Sequence, residues 1–209
     1  MIPLKHLARL SAVALTAVAL SGCISLFPKS KPAQLYRFDY AKTAEAPTPP
    51  ASALVGILKL NSSFTKAANG DRIMTITGNS DVAYIAEARW AAPASVLFDE
   101  AVDRAFLANP SVRLINRGEV GKADYVMKLD VTRFEVAYAA PKVTPEVLVS
   151  VTGTLTRSGE RTLVSEQTFT RKVRASGDRQ AAIVGGFSVA TEGVLDEVVA
   201  WAAANTAAR

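Results

Sequence analysis

Hydrophobic and polar residues change period several times along this chain, and each change predicts an element. Residues 34–40 (QLYRFDY) alternate, with Leu35, Arg37 and Asp39 set against Tyr36, Phe38 and Tyr40, which predicts a strand. Residues 54–60 form a short apolar run, the signature of a buried strand. After a polar, turn-rich stretch at 62–71 that includes Asn69-Gly70, two short strands are predicted at 72–77 and 81–85. From 93 to 108 the period becomes helical. Leu97, Phe98, Ala101, Val102, Ala105 and Phe106 share one half of a helical wheel, and Asp99, Glu100, Asp103 and Arg104 take the other. Pro93 suits a first helical position, and Asn109-Pro110 ends the run. The carboxylates read as a solvated face, with Glu100 and Arg104 at the favourable i,i+4 spacing.

Past a strand at 111–116 and a turn at 118–122, residues 124–138 predict a long strand whose phase changes partway. Tyr125, Met127, Leu129 and Val131 alternate cleanly, and Phe134, Val136 and Tyr138 then carry the apolar positions one residue out of phase. Such a flip means either a bulge that keeps these side chains in one core or an apolar set on the opposite face. In the second case Phe134, Val136 and Tyr138 are expected at a contact with another copy or with a partner protein. Residues 146–156 and 161–174, rich in Thr and Val, predict a hairpin around Ser158-Gly159. A last helix begins after Asp178, with Ile183, Phe187, Ala190, Val194, Val198 and Trp201 on one stripe and Gly185, Gly186 and Gly193 weakening it locally. Strands, helix, strands, helix argue an α+β fold: a mostly antiparallel sheet with two main helices on one face.

The N-terminus has a different character. Lys5, His6 and Arg9 precede the uncharged stretch 10–20, which as a helix is about 16 Å long, against a hydrocarbon core of about 30 Å. It therefore predicts a cleaved export signal over residues 1–22. Leu20-Ser21-Gly22-Cys23 is a lipobox, so Cys23 is expected to take a diacylglycerol, to label with palmitate and to anchor the chain to a membrane. Ile24, where an Asp would favour retention in the inner membrane, favours sorting to the outer membrane with the domain facing the periplasm. Residues 23–33 read as a Pro/Ser/Lys tether and 34–209 as one domain; 41–52 is an Ala/Pro/Thr-rich loop.

Composition narrows the chemistry. The only cysteine is Cys23 and the only histidine is His6, inside the signal. A mature chain without histidine or free thiol excludes Ser-His-Asp and Cys-His nucleophiles and Cys/His metal sites. No catalytic residue, cofactor or metal site is therefore expected. The net charge of +5 falls to roughly +3 when Lys5 and Arg9 leave, and the remaining cations are scattered, which is no nucleic-acid footprint. Ser63-Phe64-Thr65-Lys66 matches S-x-x-K but lacks the companion motifs and a helix start. Trp90, just before the first helix, is either a buried anchor beneath that helix or an exposed aromatic that grips a partner or a lipid.

The lipobox, the Tyr36-Arg37-Phe38 strand, a strand running into Arg89-Trp90-Ala91-Ala92-Pro93 and an amphipathic helix, then two long strands and a C-terminal helix, together resemble the ABC-type transport auxiliary lipoproteins, which include the lipoprotein of the paraquat-inducible system. That resemblance implies a non-catalytic docking role in an MCE-type transporter moving lipids or other hydrophobic compounds. Its partners would be an MCE-domain protein with its permease and ATPase. The rival expectations are a lipoprotein that assists assembly of an outer-membrane complex, of the lipopolysaccharide-assembly or pilotin kind, and a cell-wall hydrolase that uses only carboxylates.

Overall fold

A computed structural model describes residues 32–43, 54–78, 80–109, 112–140 and 143–207. The export signal, Cys23 and most of the tether lie outside the described residues, as does the loop at 44–53. In chain order the elements are β1 (Gln34–Tyr36), β2 (Gly56–Lys59), β3 (Ser63–Phe64), β4 (Arg72–Thr77), β5 (Asp81–Trp90), α1 (Ala94–Ala108), β6 (Arg113–Ile115), β7 (Tyr125–Tyr138), β8 (Glu146–Arg157), β9 (Leu163–Arg174) and α2 (Gln180–Ala207). The fold is α+β, with both helices packed on a mixed sheet whose long pairings are antiparallel.

β7 is the hub of that sheet. One of its edges pairs along its length with β8, and β8 pairs in turn with β9. Its other edge is shared by three short parallel neighbours: β2 beside Tyr125–Met127, β3 beside Asp130 and Val131, and β4 beside Val136–Tyr138. β5 runs antiparallel to β4, and β1 and β6 pair in parallel with β5 and β2.

The phase flip in β7 is a bulge. Val131 faces Val151 and Arg133 faces Ser150, so Thr132 is the extra residue. Residues 125, 127, 129 and 131 before it, and 134 and 136 after it, thus stay on one face, opposite Leu155, Val151, Val149 and Val147 of β8. That face is covered by the helices, and Met127, Leu129, Val136, Val147 and Val149 are fully buried.

Other boundaries moved for local reasons. The alternation at 34–40 continues, but the strand ends at Tyr36, because Phe38 and Tyr40 dip into the core beneath the helices and find no strand to pair with. Arg37 pairs with Glu100 at 2.5 Å, and Arg104 reaches Asp39, strapping this segment to α1. The predicted 81–85 strand runs on to Trp90 through a wide bulge: Met74 faces Tyr84, while Arg72 faces Arg89. Glu87 in that bulge has φ 55°, a left-handed backbone that a glutamate adopts only under strain. The turn-rich stretch at 62–71 contains the short β3. Pro93 caps α1 rather than opening it.

α2 runs unbroken through its glycines. A Cβ on Gly186 would lie 2.9 Å from the Val147 side chain, so this glycine is what lets the helix approach β8. Gly153 on β8 reciprocates, since a Cβ there would meet the Trp201 ring at 3.0 Å. Helix propensity is lost at these positions and close packing of helix on sheet is gained.

Candidate functional site

The residues singled out as contact candidates converge, but on the core. Trp90 is 2% exposed, Phe134 2% and Val136 0%. The Phe134 ring sits 4.7 Å from Phe187 of α2, 5.0 Å from Phe38, 5.6 Å from Phe64 of β3 and 6.2 Å from Trp90. Trp90 meets Phe38 and Phe187 edge-on at 5.0 and 5.1 Å, and its backbone N–H donates to the Asp71 carbonyl at 2.7 Å. This corrects the expectation of an external contact for Trp90, Phe134 and Val136: the Thr132 bulge turns the apolar set inward, and Trp90 anchors the strand beneath α1. Tyr138 alone keeps an exposed part. Its hydroxyl donates to Asp178 Oδ1 at 3.2 Å, and burial, with the Asp178 charge, raises its pKa above the ordinary tyrosine value.

Two polar clusters went unread in the sequence. In the first, the Tyr40 hydroxyl donates to Asp196 Oδ1 at 2.9 Å, and Lys42 Nζ lies 2.6 Å from Asp196 Oδ2 and 3.4 Å from Glu192. Tyr40, Lys42 and Asp196 border a cleft of about 590 Å³ completed by Thr43, Ala108 and Asn109. Burial, then the hydrogen bond to Asp196 and its charge, push the Tyr40 hydroxyl up to about 12. The same aspartate holds Lys42 above its usual value. A phenol pushed that high and a lysine held in its cationic form supply neither a base nor a nucleophile at neutral pH.

In the second cluster Lys59, 5% exposed, reaches Asp103 at 2.6 Å and the Asp99 carbonyl at 3.2 Å, while the Ser62 hydroxyl donates to Asp99 at 2.8 Å. Two carboxylates read as a solvated face thus tie α1 to β2 and to the residue before β3. Neither cluster is local in sequence: Tyr40 and Asp196 are 156 positions apart, and no motif spacing links them.

Ser63, of the S-x-x-K match, lies on β3, where its hydroxyl donates to Asp130. Burial raises the Asp130 carboxyl, but hydrogen bonds from Lys128 and Ser63 outweigh it and leave its pKa low. A serine bound to an ionised carboxylate, away from any helix start, is not activated in the S-x-x-K manner. Among the described residues no group of three or more His, Cys, Asp or Glu is placed to hold a metal ion. No helix among them is long and apolar enough to cross a membrane.

Comparison with known proteins identifies what such a domain is built like. A family model described as ABC-type transport auxiliary lipoprotein component matches residues 36–199. A crystal structure of a Xanthomonas campestris protein of family DUF330 superposes with a TM-score of 0.73 at 24% identity, covering 84% of this chain and 97% of that one. A hypothetical protein of Chlamydia trachomatis shares the fold at a TM-score of 0.55 and 9% identity, over 75% of this chain and 100% of that one. No curated protein matches the chain.

Proposed function

Because this chain belongs to the family of ABC-type transport auxiliary lipoprotein components, we propose that it is the outer-membrane-anchored subunit of an MCE-type ABC transport system. In this reading Cys23 carries the acyl chains, residues 24–33 span the gap to the sheet, and the domain docks the MCE-domain protein on the periplasmic side. The permease and ATPase then drive lipids or other hydrophobic compounds between the membranes, and this subunit contributes binding rather than chemistry.

The observation that carries the reading is the family match over residues 36–199, most of the domain predicted at 34–209. Two physical points support it. A ten-residue tether reaches at most about 35 Å, so lipidation at Cys23 would keep the domain near its membrane. The polar clusters are satisfied internally, as suits a rigid docking body rather than a reaction site. Anchoring is tested by Cys23→Ser and Ile24→Asp. The wild type is expected to label with palmitate and to fractionate with outer membrane. Cys23→Ser should lose the label, and Ile24→Asp should move the protein to the inner-membrane fraction. A palmitate-labelled Cys23→Ser protein would overturn the lipidation site, and a wild type in the inner membrane would overturn the location.

A further inference from the structure

The two ends of the sheet are unlike. β6, β2 and β7 start side by side, with Gly56 beside Arg113 and Ile57 beside Tyr125, and β8 finishes there, with Arg157 opposite Tyr125. Two connections close this end: the 116–122 loop between β6 and β7, and the 158–162 turn between β8 and β9. β1 pairs in parallel with β5, whose first residue, Asp81, faces Thr77 beside Tyr138. The chain therefore enters β1 from the opposite end. β7, 14 residues long, separates the two ends by about 40 Å.

The first end is basic and carries an outward apolar residue. Arg113, Arg117, Lys122, Arg157 and Arg161 stand there against Glu119, Asp124 and Glu160. Two of these carboxylates are already used. Glu119 turns back to accept the Asn116 backbone N–H at 3.2 Å. Asp124 accepts from Lys122 at 3.0 Å and from the Gly56 N–H at 3.3 Å, bonds that hold its pKa below the ordinary carboxylate value. The Arg117 and Arg161 side chains are exposed and have no carboxylate partner among the described residues. Between Arg117 and Lys122, Val120 is 94% exposed, and Leu163, opposite Thr156 beside the neighbouring turn, is exposed as well.

The loop that holds Val120 out is fixed on both flanks. The Glu119 N–H donates to the Asn116 carbonyl at 3.0 Å, Gly118 makes the turn at φ 93°, and Arg113 donates to the Val120 carbonyl at 3.4 Å. A Cβ on Gly121 would press on the Arg113 guanidinium at 3.2 Å, and one on Gly56 would collide with the Lys122 carbonyl. The loop thus lies tight against β2 and β6. A fixed apolar residue ringed by unmatched cations suits docking: little ordering is needed on binding, and the local field attracts carboxylates.

We infer that this basic end receives the MCE-domain protein, through a segment of that partner that presents carboxylates around an apolar recess for Val120. The inference rests on the transporter reading above and adds the place and chemistry of the contact. Arg117 and Arg161 supply charge that no described residue neutralises, and Val120 supplies apolar area at the centre of the patch, where contacts count most. With an anchor leading into β1 from the other end, the basic end points away from the membrane that bears it, toward a partner arriving across the periplasm.

The experiment places p-benzoylphenylalanine at Val120 and, for comparison, at Val82 and Val143, exposed positions at the other end of the sheet. The full chain is irradiated in intact cells that hold the transporter and purified, and its adducts are identified by mass spectrometry. An MCE-domain adduct is expected at Val120 and not at Val82 or Val143. Arg117→Glu combined with Arg161→Glu should cut that yield by about tenfold, since each reversal sets like charges together. Thermal melting should not change, because both side chains are exposed and without an ion pair among the described residues. An MCE-domain adduct at Val82 or Val143 in place of Val120 overturns the docking end and leaves the transporter reading standing. No MCE-domain adduct at any of the three positions overturns both. A phospholipid or β-barrel adduct at Val120, or a yield indifferent to the two reversals, also overturns the proposal.

Discussion

Removing the ring of Phe134 should be among the most damaging single truncations in this domain. Four aromatic rings from β3, β5, α2 and the segment after β1 lie within 6.2 Å of it, so Phe134→Ala leaves a void walled by elements that cannot all collapse inward. A buried Phe→Ala change costs about 3–5 kcal/mol through lost transfer energy and residual cavity. Lost edge-to-face contacts belong to the same range rather than adding to it, at roughly 0.5–1.5 kcal/mol per pair. We expect a loss of about 4 kcal/mol, which for a domain of this size lowers Tm by about 8–16 °C. The assay is urea unfolding with thermal melting of the domain from Ala33 onward, with oligomeric mass measured alongside. The midpoint should fall with the m-value unchanged, and the mass should match wild type. A loss below about 1 kcal/mol accompanied by dissociation from a partner would refute the burial argument and restore Phe134 as an external contact.

Three further outcomes follow from the same geometry. Deleting Thr132 removes the bulge and rotates either Phe134 and Val136, or their counterparts before it, off the core face, at about 1.5–3 kcal/mol per side chain; circular dichroism should show an unfolded chain, whereas Thr132→Ala should remain folded. Thr191 is fully buried with a hydroxyl that has no hydrogen-bond partner among the described residues, so Thr191→Val should be neutral or stabilise by about 1 kcal/mol in urea melts; a clear loss would reveal a missing partner. Tyr40 holds its proton to about pH 12 in the folded state against an ordinary 10.0, so its contribution is complete below pH 10 and is lost as pH rises toward 12. Tyr40→Phe should flatten the alkaline limb of a stability–pH curve over that window, and wild-type phenolate absorbance should show a late-titrating part, to which Tyr138 also contributes, that shrinks in the variant.

Much of the fold was legible because its long elements obey one period each. The wheel of α1 named its buried face residue by residue, with Leu97, Phe98, Ala101, Val102, Ala105 and Phe106 all buried. The break in alternation after Val131 located the bulge to within a residue, but not its consequence, because periodicity counts phase and cannot tell which face the chain resumes on. Phe38 and Tyr40 alternate like strand residues while packing beneath the helices, so the pattern was right about burial and silent about pairing. The Lys59 and Tyr40 clusters join positions 44 and 156 residues apart and leave no local signal. Gly186 and Gly193 of α2 misled for the opposite reason: propensity marks them as weak points, and close packing against Val147 and Arg171 explains why they are tolerated, whereas Gly185 faces open space.

The central claim is docking within an MCE-type transporter, and in-cell crosslinking tests it most directly. The full chain, tagged at its C-terminus and crosslinked in intact cells, is purified from the membrane, and its covalent partners are identified by mass spectrometry. The account predicts an MCE-domain protein as the principal adduct, with the permease and ATPase co-purifying. Recovery of an outer-membrane β-barrel or a secretin, with no transporter subunit, would contradict it.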